Sequence, residues 1–279
     1  MKKILFDSHS HISDEGYNEI HDELIEEIRN SQIKYCMDIG ASLKSSKTSV
    51  ESAKTYDFCY AAVGVHPGEV EELDDEKLFE CLSAYETEEK VVAVGEIGLD
   101  YHYDDGPSKK LQQYWFGKQI DWAIEHKAPI CIHSREADDD CMQILKAHGA
   151  FSKERADCFP KKLDGSSDCR VLLHCFSGSA ELAKQYIKLG ATISLAGPVT
   201  FKNARKAVEV AESIDISNLL IETDSPYMAP VPLRGTQNKP VNVEYVARKI
   251  AEIKGLSYEN VAMTTLENAC RFYDISLED

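Results

Sequence analysis

Two histidines, His9 and His11, directly follow a short apolar run that is typical of a buried β-strand. Side chains two positions apart on an extended segment point to the same side, so both imidazoles can face one point. Imidazole nitrogens are frequent ligands of divalent metal ions. The pair therefore indicates a metal site, and two unrelated polar residues in the first loop are the alternative.

Further histidines and carboxylates stand at the ends of other apolar runs. Glu96 and Asp224 are difficult to explain as core residues, because a buried carboxylate without a partner is costly. A catalytic metal ion uses three or four protein ligands, so six candidates suit two ions that share a bridging carboxylate. The candidate ligands are His9, His11, Glu96, His133, His174 and Asp224.

These residues need a scaffold that brings distant positions together, and the pattern of the chain supplies one. Eight strand-like segments alternate with amphipathic stretches, which predicts a parallel sheet. For a chain of 279 residues, an α/β fold closed as a single-domain (β/α)8 barrel over residues 1–279 is favoured. An open doubly wound sheet is the alternative, but its glycine-rich nucleotide turn is missing. In a barrel, the carboxyl ends of all strands open on one rim, where the six ligands would converge.

The strands are predicted at Ile4–Asp7, Tyr35–Ile39, Cys59–Val65, Val91–Ile97, Ile130–His133, Val171–His174, Thr192–Leu195 and Leu219–Glu222. The helices are predicted at Ile20–Asn30, Ser45–Thr55, Asp75–Tyr85, Leu111–His126, Ala137–His148, Ala180–Leu189, Ala204–Ser213, Val243–Lys254 and Tyr258–Cys270. Residues 151–169 have no clear period, and we interpret them as an insertion loop on the barrel face opposite the rim.

Composition and charge narrow the class of protein. No apolar run approaches the ~18 residues of a membrane span, so no membrane association is expected. Nine scattered cysteines without a C-x-x-C motif indicate reduced thiols and a cytoplasmic location. A net charge of −17 argues against a protein that coats nucleic acid, but not against an enzyme whose bound cations attract a polyanion. The oligomeric state is left open, with a monomer favoured.

Six motifs occur in a characteristic order: H-S-H at 9–11, G-V-H-P at 64–67, G-E-I-G-L-D-Y at 95–101, H-S-R at 133–135, H-C-F-S-G at 174–178 and T-D-S-P-Y at 223–227. In this order and spacing they resemble the TatD-type metal-dependent deoxyribonucleases of the amidohydrolase-like superfamily. The resemblance implies a distorted (β/α)8 barrel, a pair of divalent ions and exonucleolytic cleavage of DNA. It also implies that Glu96 bridges the ions. Residues 151–169 look longer than is usual in the family.

The expected mechanism is attack on phosphorus by a metal-bridged hydroxide. Glu96 and Asp224 are the expected catalytic carboxylates, with Asp224 as general base; ligation alone is the alternative for Asp224. Four further residues are candidates for substrate contacts or for support of the ligands. They are Arg135, His66, Asp100 and Tyr101. For Arg135, an ion pair with Glu136 or Asp100 is the alternative.

The identity of the ions, whether Mg, Mn or Zn, stays open. The expected partner is DNA, single-stranded or at 3′ ends, and four aromatic residues near the rim could stack on bases: Tyr101, Tyr103, Phe176 and Tyr227. The same two-metal chemistry would serve an amide or ester hydrolase, or an aminoacyl-tRNA deacylase. A binding protein with a vestigial site is a third possibility.

Overall fold

In the computed structural model, which describes residues 2–277, eight parallel strands form one sheet in their order along the chain. They are β1 (Leu5–Ser10), β2 (Ile33–Ile39), β3 (Cys59–Val63), β4 (Val91–Asp100), β5 (Ile130–Arg135), β6 (Val171–Leu173), β7 (Thr192–Leu195) and β8 (Leu219–Ile221). The predicted (β/α)8 barrel is confirmed, and β4 extends beyond its predicted end at Ile97.

Helices connect successive strands, and several begin at a serine or aspartate that accepts a backbone N–H, as helix N-termini require. The helices are α1 (His21–Asn30), α2 (Leu43–Thr55), α3 (Asp75–Leu82), α4 (Ala84–Thr87), α5 (Lys109–Glu125), α6 (Asp138–Ala147), α7 (Lys153–Ala156), α8 (Ala180–Lys188), α9 (Arg205–Ser213), α10 (Val243–Lys254) and α11 (Tyr258–Tyr273). Among residues 2–277, none of them combines the length and the apolar composition that a bilayer crossing requires.

The barrel closes between β1 and the residues that follow β8. The amide of Asp224 donates to the His9 carbonyl oxygen at 2.9 Å, and the amide of His11 donates to the Ser225 carbonyl oxygen at 2.8 Å. The bridge between Ser10 and Ser225 lies in the same place, at the carboxyl end of the strands. Closure at this end brings the residues after β8 directly beside the two histidines of β1.

Alternation along the strands separates two apolar clusters, as the pleat of a sheet requires. One cluster includes Phe6, Ala62, Cys131 and Leu220 and is continued by buried residues of α11, whereas neighbouring strand residues pack against the outer helices. The Tyr273 hydroxyl of α11 donates to the Ser8 carbonyl oxygen at 2.9 Å. The last helix therefore plugs the end of the barrel opposite the rim, a role that its apolar pattern did not indicate.

The segment 151–169 is more closely integrated than a surface loop. It contains α7, and two of its basic side chains, Arg155 and Lys162, are buried. Arg155 donates to the carbonyl oxygens of Ala128 and Cys169 at 2.7 and 2.8 Å. Lys162 donates to Ala191 O and to Asn218 Oδ1. The segment thus supplies hydrogen-bond donors to backbone carbonyl oxygens that lie just before neighbouring strands of the barrel.

Candidate metal centre

Five of the six candidate ligands stand at or near the carboxyl ends of strands and Glu96 lies within β4, and the structure brings all six together. His9 lies in β1 and His11 follows it, Glu96 lies in β4 and His133 in β5, while His174 and Asp224 follow β6 and β8. Their ligand atoms form three groups, and the atoms of each group lie within 4.8 Å of one another. The groups are His9 with His11 and Glu96, Glu96 with His133 and His174, and His9 with His174 and Asp224.

Glu96 lies between two pairs of imidazoles, with one oxygen directed to each pair. Its Oε1 is 2.7 Å from His133 Nδ1 and 2.7 Å from His174 Nε2. Its Oε2 is 3.6 Å from His9 Nε2 and 4.0 Å from His11 Nε2. A carboxylate that serves two neighbouring groups of nitrogen donors has the geometry of a bridging ligand.

The close approach of β4 to β5 beside Glu96 depends on a glycine. Gly98 has φ +150°, and a Cβ there would lie 1.9 Å from the His133 carbonyl oxygen. Only glycine permits so close an approach of β4 to β5. The G-E-I-G pattern is therefore a packing requirement that fixes the distance between Glu96 and His133.

Asp224 completes the side of the cluster formed by β1. Its Oδ1 lies 3.6 Å from His11 Nε2 and 3.9 Å from His9 Nε2. Asp224 has φ +53°, which is rare for a residue with a side chain. Such backbone strain is concentrated at functional sites, where the surroundings enforce it.

Hydrogen bonds fix which nitrogen of two imidazoles can act as a ligand. His11 Nδ1 lies 2.8 Å from the Ile39 carbonyl oxygen, which can only accept, so Nδ1 carries the hydrogen and Nε2 faces the cluster. His133 Nε2 lies 3.2 Å from Asp100 Oδ2, which leaves Nδ1 toward Glu96. The backing of ligand imidazoles by oxygen acceptors is typical of metal sites.

The surroundings of His9 show whether these residues fit metal ions. It is completely buried, and neither of its ring nitrogens has a hydrogen-bond partner. A buried polar group without a partner costs about 1–3 kcal/mol. A cation between His9 Nε2, Glu96 and the other donors would supply the missing interaction, so the donor set fits divalent ions.

The charges of the cluster are strongly coupled. Burial raises the pKa of Glu96, but the imidazoles of His174, His133 and His9 outweigh it and hold this pKa well below its usual range. Burial lowers the pKa of His11, but Asp224 and Glu96 outweigh it and raise the value to about 9. Burial is likewise outweighed by neighbouring carboxylates at His133 and His174, whose pKa values are raised, whereas burial lowers the pKa of His9. Protons on His11, His133 and His174 thus balance the carboxylates, at positions where cations would compete with them.

A cavity of about 850 Å³ opens above the cluster and is lined by three of the four candidate substrate contacts, Arg135, His66 and Asp100. Arg135 donates to the Tyr103 hydroxyl at 3.2 Å, and none of the carboxylate oxygens of the described residues lies within 4.0 Å of its guanidinium. The alternative considered for Arg135, an ion pair with Glu136 or Asp100, is therefore wrong. Glu136 instead contacts His102 Nδ1 at 2.6 Å.

His66 is oriented by the backbone. The amide of Gly68 donates to His66 Nδ1 at 3.0 Å, so in the neutral ring the hydrogen is on Nε2. Burial lowers the pKa of His66 to about 4, which keeps the ring neutral near pH 7. His66, Asp100 and His133 form a fourth group of potential ligands, but a protonated Nε2 cannot bind a metal ion. His66 is thus a hydrogen-bond donor at the edge of the cluster.

The remaining candidates divide between the cavity and its support. Asp100 lines the cavity and contacts His133, as expected for a supporting residue. Tyr101 does not line the cavity: its hydroxyl donates to Asp140 Oδ2 at 2.8 Å, so the structure does not favour it as a substrate contact. Of the four aromatic residues, Phe176 is buried, and Tyr103 and Tyr227 line the cavity.

Sequence reasoning gave no role to Glu222, which is completely buried beside the cluster. Its Oε1 lies 3.3 Å from His174 Nδ1 and accepts the backbone N–H of Cys175 at 2.6 Å. The signal that could have found it is a second acidic residue at the end of an apolar strand, two positions before Asp224.

Comparison with known proteins decides the family. A family model described as TatD related DNase matches residues 6–274. The chain belongs to the TatD family. The resemblance of its six motifs is thereby confirmed over nearly the whole sequence, and this TatD-family protein is a metal-dependent hydrolase, as its relatives are described.

Individual relatives of this TatD-family chain match along 96–100% of their lengths. An uncharacterized metal-dependent hydrolase of Bacillus subtilis, YabD, is 40% identical over 275 residues, which cover 98% of this chain and 100% of YabD. The Escherichia coli hydrolase YcfH is 34% identical over 274 residues, covering 97% of this chain and 96% of YcfH. A crystal structure of YjjV, a TatD homologue from Escherichia coli, superimposes with a TM-score of 0.85 at 26% identity, covering 99% and 100% of the two chains.

Proposed function

We propose that this TatD-family hydrolase cleaves phosphodiester bonds of DNA and shortens single strands from an end. The observation that carries the proposal is the position of Glu96, whose two oxygens face separate imidazole pairs. The description of the matching family as a DNase supports the choice of substrate.

The donors would hold two divalent ions, with Glu96 between them. His9, His11 and Asp224 would serve one side, and His133 and His174 the other. Imidazole mixed with carboxylate suits Zn and Mn by ligand preference, and Mg is tested beside them. Divalent ions, when bound, lower the pKa of water and neutralise charge on a phosphoryl group.

The side chains of the cavity have complementary tasks. Asp224, ionised because His11, His174 and His9 outweigh the effect of burial on its pKa, can orient the attacking water and accept its proton. The guanidinium of Arg135 has no carboxylate partner among residues 2–277 and can bind two phosphate oxygens. His66 Nε2–H can donate to a third oxygen, because Gly68 fixes the ring.

The rim supports an unpaired strand as substrate. Tyr103 and Tyr227 are 60% and 55% exposed and line the cavity. Exposed aromatic rings bind unpaired bases by stacking, without sequence preference. All nine cysteines are free thiols, which supports our placing of the enzyme in the reducing cytoplasm.

The test uses end-labelled single-stranded DNA with Mg, Mn or Zn, beside a panel of amides and esters. Stepwise shortening from one end is expected, with loss of activity on chelation and in Glu96→Gln. Glu69→Gln is the matched control, because Glu69 lines the same cavity but its carboxylate forms no ion pair with a histidine of the cluster. Inert DNA together with metal-dependent ester or amide turnover would reject the nuclease and favour the alternative hydrolase, which the net charge of −17 also suits.

A further inference from the structure

We propose that Glu222 is a positioning residue for His174: it holds the hydrogen of this imidazole on Nδ1, so that the Nε2 lone pair faces the metal centre. The inference rests on the proposed metal centre. Its test requires metal binding only and no DNA, so it can fail independently of the proposed nuclease activity.

Glu222 has no other charged partner among residues 2–277. It is 0% exposed, and its ion-pair contact is His174 Nδ1 at 3.3 Å. A carboxylate taken out of water without compensation is strongly unfavourable. Its position is therefore explained best by the imidazole beside it.

Two buried atoms of this pair lack a regular hydrogen bond, His174 Nδ1 and Glu222 Oε2. A buried polar atom without a partner is unfavourable. An Nδ1–H directed onto Glu222 Oε1, which lies 3.3 Å away, would give the imidazole nitrogen its missing partner. Because an ionised carboxylate can only accept, this pairing requires the hydrogen on Nδ1 and leaves Nε2 free to act as a ligand.

His133 shows the same arrangement in completed form. Its Nε2 contacts Asp100 Oδ2 at 3.2 Å, and its Nδ1 faces Glu96. The two imidazoles that contact Glu96 Oε1 are thus each backed by a carboxylate, whereas a carbonyl oxygen backs His11. Carboxylate backing raises the basicity of the ligand, so this side of the centre gains most from its supporting residues.

Glu222 also fixes the backbone after His174. Cys175 has φ +42°, a conformation that is unfavourable for a residue with a side chain, and its N–H donates to Glu222 Oε1 at 2.6 Å. A purely structural role in this turn is the competing explanation. The substitution Glu222→Gln separates the two, because an amide oxygen can still accept from Cys175 but carries no charge.

The experiment measures Co²⁺ binding to the full chain by equilibrium dialysis and visible absorption. In E222Q the affinity of one ion should fall about 10–100-fold, the usual effect of removing a backing carboxylate. Asp168→Asn is the control, because Asp168 is also buried but is paired with Arg271, at the opposite end of β6 from His174. Wild-type affinity in E222Q would overturn the proposal, as would an equal loss in D168N.

A second measurement needs no variant of Glu222. In the Zn-bound wild type with ¹⁵N-labelled histidine, NMR should show His174 bound through Nε2, with a slowly exchanging hydrogen on Nδ1. The resonance is assigned by its loss in His174→Asn. Zn bound through Nδ1, or a rapidly exchanging Nδ1 hydrogen, would contradict the proposal even if E222Q failed to fold.

Discussion

The Asp224 carboxylate lies 3.6 Å from His11 Nε2, a contact that joins the end of the last barrel strand to the end of the first. The backbone around these residues also closes the barrel, through hydrogen bonds of Asp224 to His9 and of His11 to Ser225. Assembly of the candidate metal centre and closure of the fold are therefore one structural event. Each ligand on this side is held by main-chain contacts as well as by its own packing.

Asp224→Asn should leave the fold intact but reduce phosphodiester turnover by about 10²–10⁴-fold, the range expected for loss of a general base. The substitution keeps the shape of the side chain and removes its charge. Turnover on single-stranded DNA is measured beside thermal unfolding, with Asp14→Asn as control on the same cavity. Unchanged turnover in D224N would remove Asp224 from the mechanism.

The stability of the metal-free protein should fall between pH 6.5 and 8. His11 has a folded-state pKa of about 9, above its ordinary value of 6.5, so its stabilising effect is complete below pH 6.5 and is lost as the pH rises. The difference between the folded-state and ordinary pKa of His11 corresponds to roughly 3 kcal/mol of stability lost once the pH has passed both values. The window ends at pH 8, because burial lowers the pKa of Lys162 to about 8. Above that pH the folded protein loses the Lys162 proton before the unfolded chain does, so this residue makes the stability rise with pH.

Chemical unfolding in chelator at several pH values checks this prediction, and excess Mn²⁺ provides the comparison. Metal ions require unprotonated imidazoles, so the decline should be absent or reversed in the metal-bound protein. A free energy of unfolding that rises from pH 6.5 to 8 in chelator would show that the imidazoles are not paired with Asp224 and Glu96 as the structure indicates.

Tyr103→Ala and Tyr227→Ala should weaken binding of single-stranded DNA by about 1–3 kcal/mol each, the usual contribution of one stacked base. Hydrolysis of a small phosphodiester without bases should change less than DNA binding, because base stacking contributes nothing to the binding of that substrate. Tyr114→Ala is the control, since Tyr114 is exposed and lies outside the cavity. KM values for DNA that equal the wild-type value in Y103A and Y227A, as in the control Y114A, would exclude the two rings from substrate binding.

Arg155→Met should destabilise the protein by about 3–5 kcal/mol without changing turnover per folded molecule. The substitution leaves the buried carbonyl oxygens of Ala128 and Cys169 without their donor. Lys153→Met in the same short helix is the control, because Lys153 is exposed and, within the described part of the chain, forms an ion pair only with Asp157. A loss of activity in folded R155M would instead connect the segment 151–169 to the active site.

The sequence allowed the barrel and the six ligands to be predicted because both leave simple local signals. Each strand is a short apolar run, and each ligand follows such a run at its carboxyl end, where a parallel barrel opens. Glu96 and Asp224 stand out because an acidic residue in an apolar run needs a reason. The cluster thus follows from local patterns combined with one topological rule.

Other features depend on contacts between distant segments and could not be read locally. The pairing of Glu222 with His174, the hydrogen bond that orients His66 and the freedom of Arg135 from Glu136 are properties of the folded rim. Tyr101 carries the same local signal as Tyr103, yet its hydroxyl is held by Asp140. The apolar period of α11 likewise predicts a helix but does not tell that it plugs the barrel.

The central claim is that Glu96 lies between two cations, and anomalous diffraction from a crystal soaked in Mn²⁺ tests it most directly. The account predicts two peaks, each beside one Glu96 oxygen: one near His9, His11 and Asp224, the other near His133 and His174. The absence of peaks, or a single peak that does not contact Glu96, would contradict it.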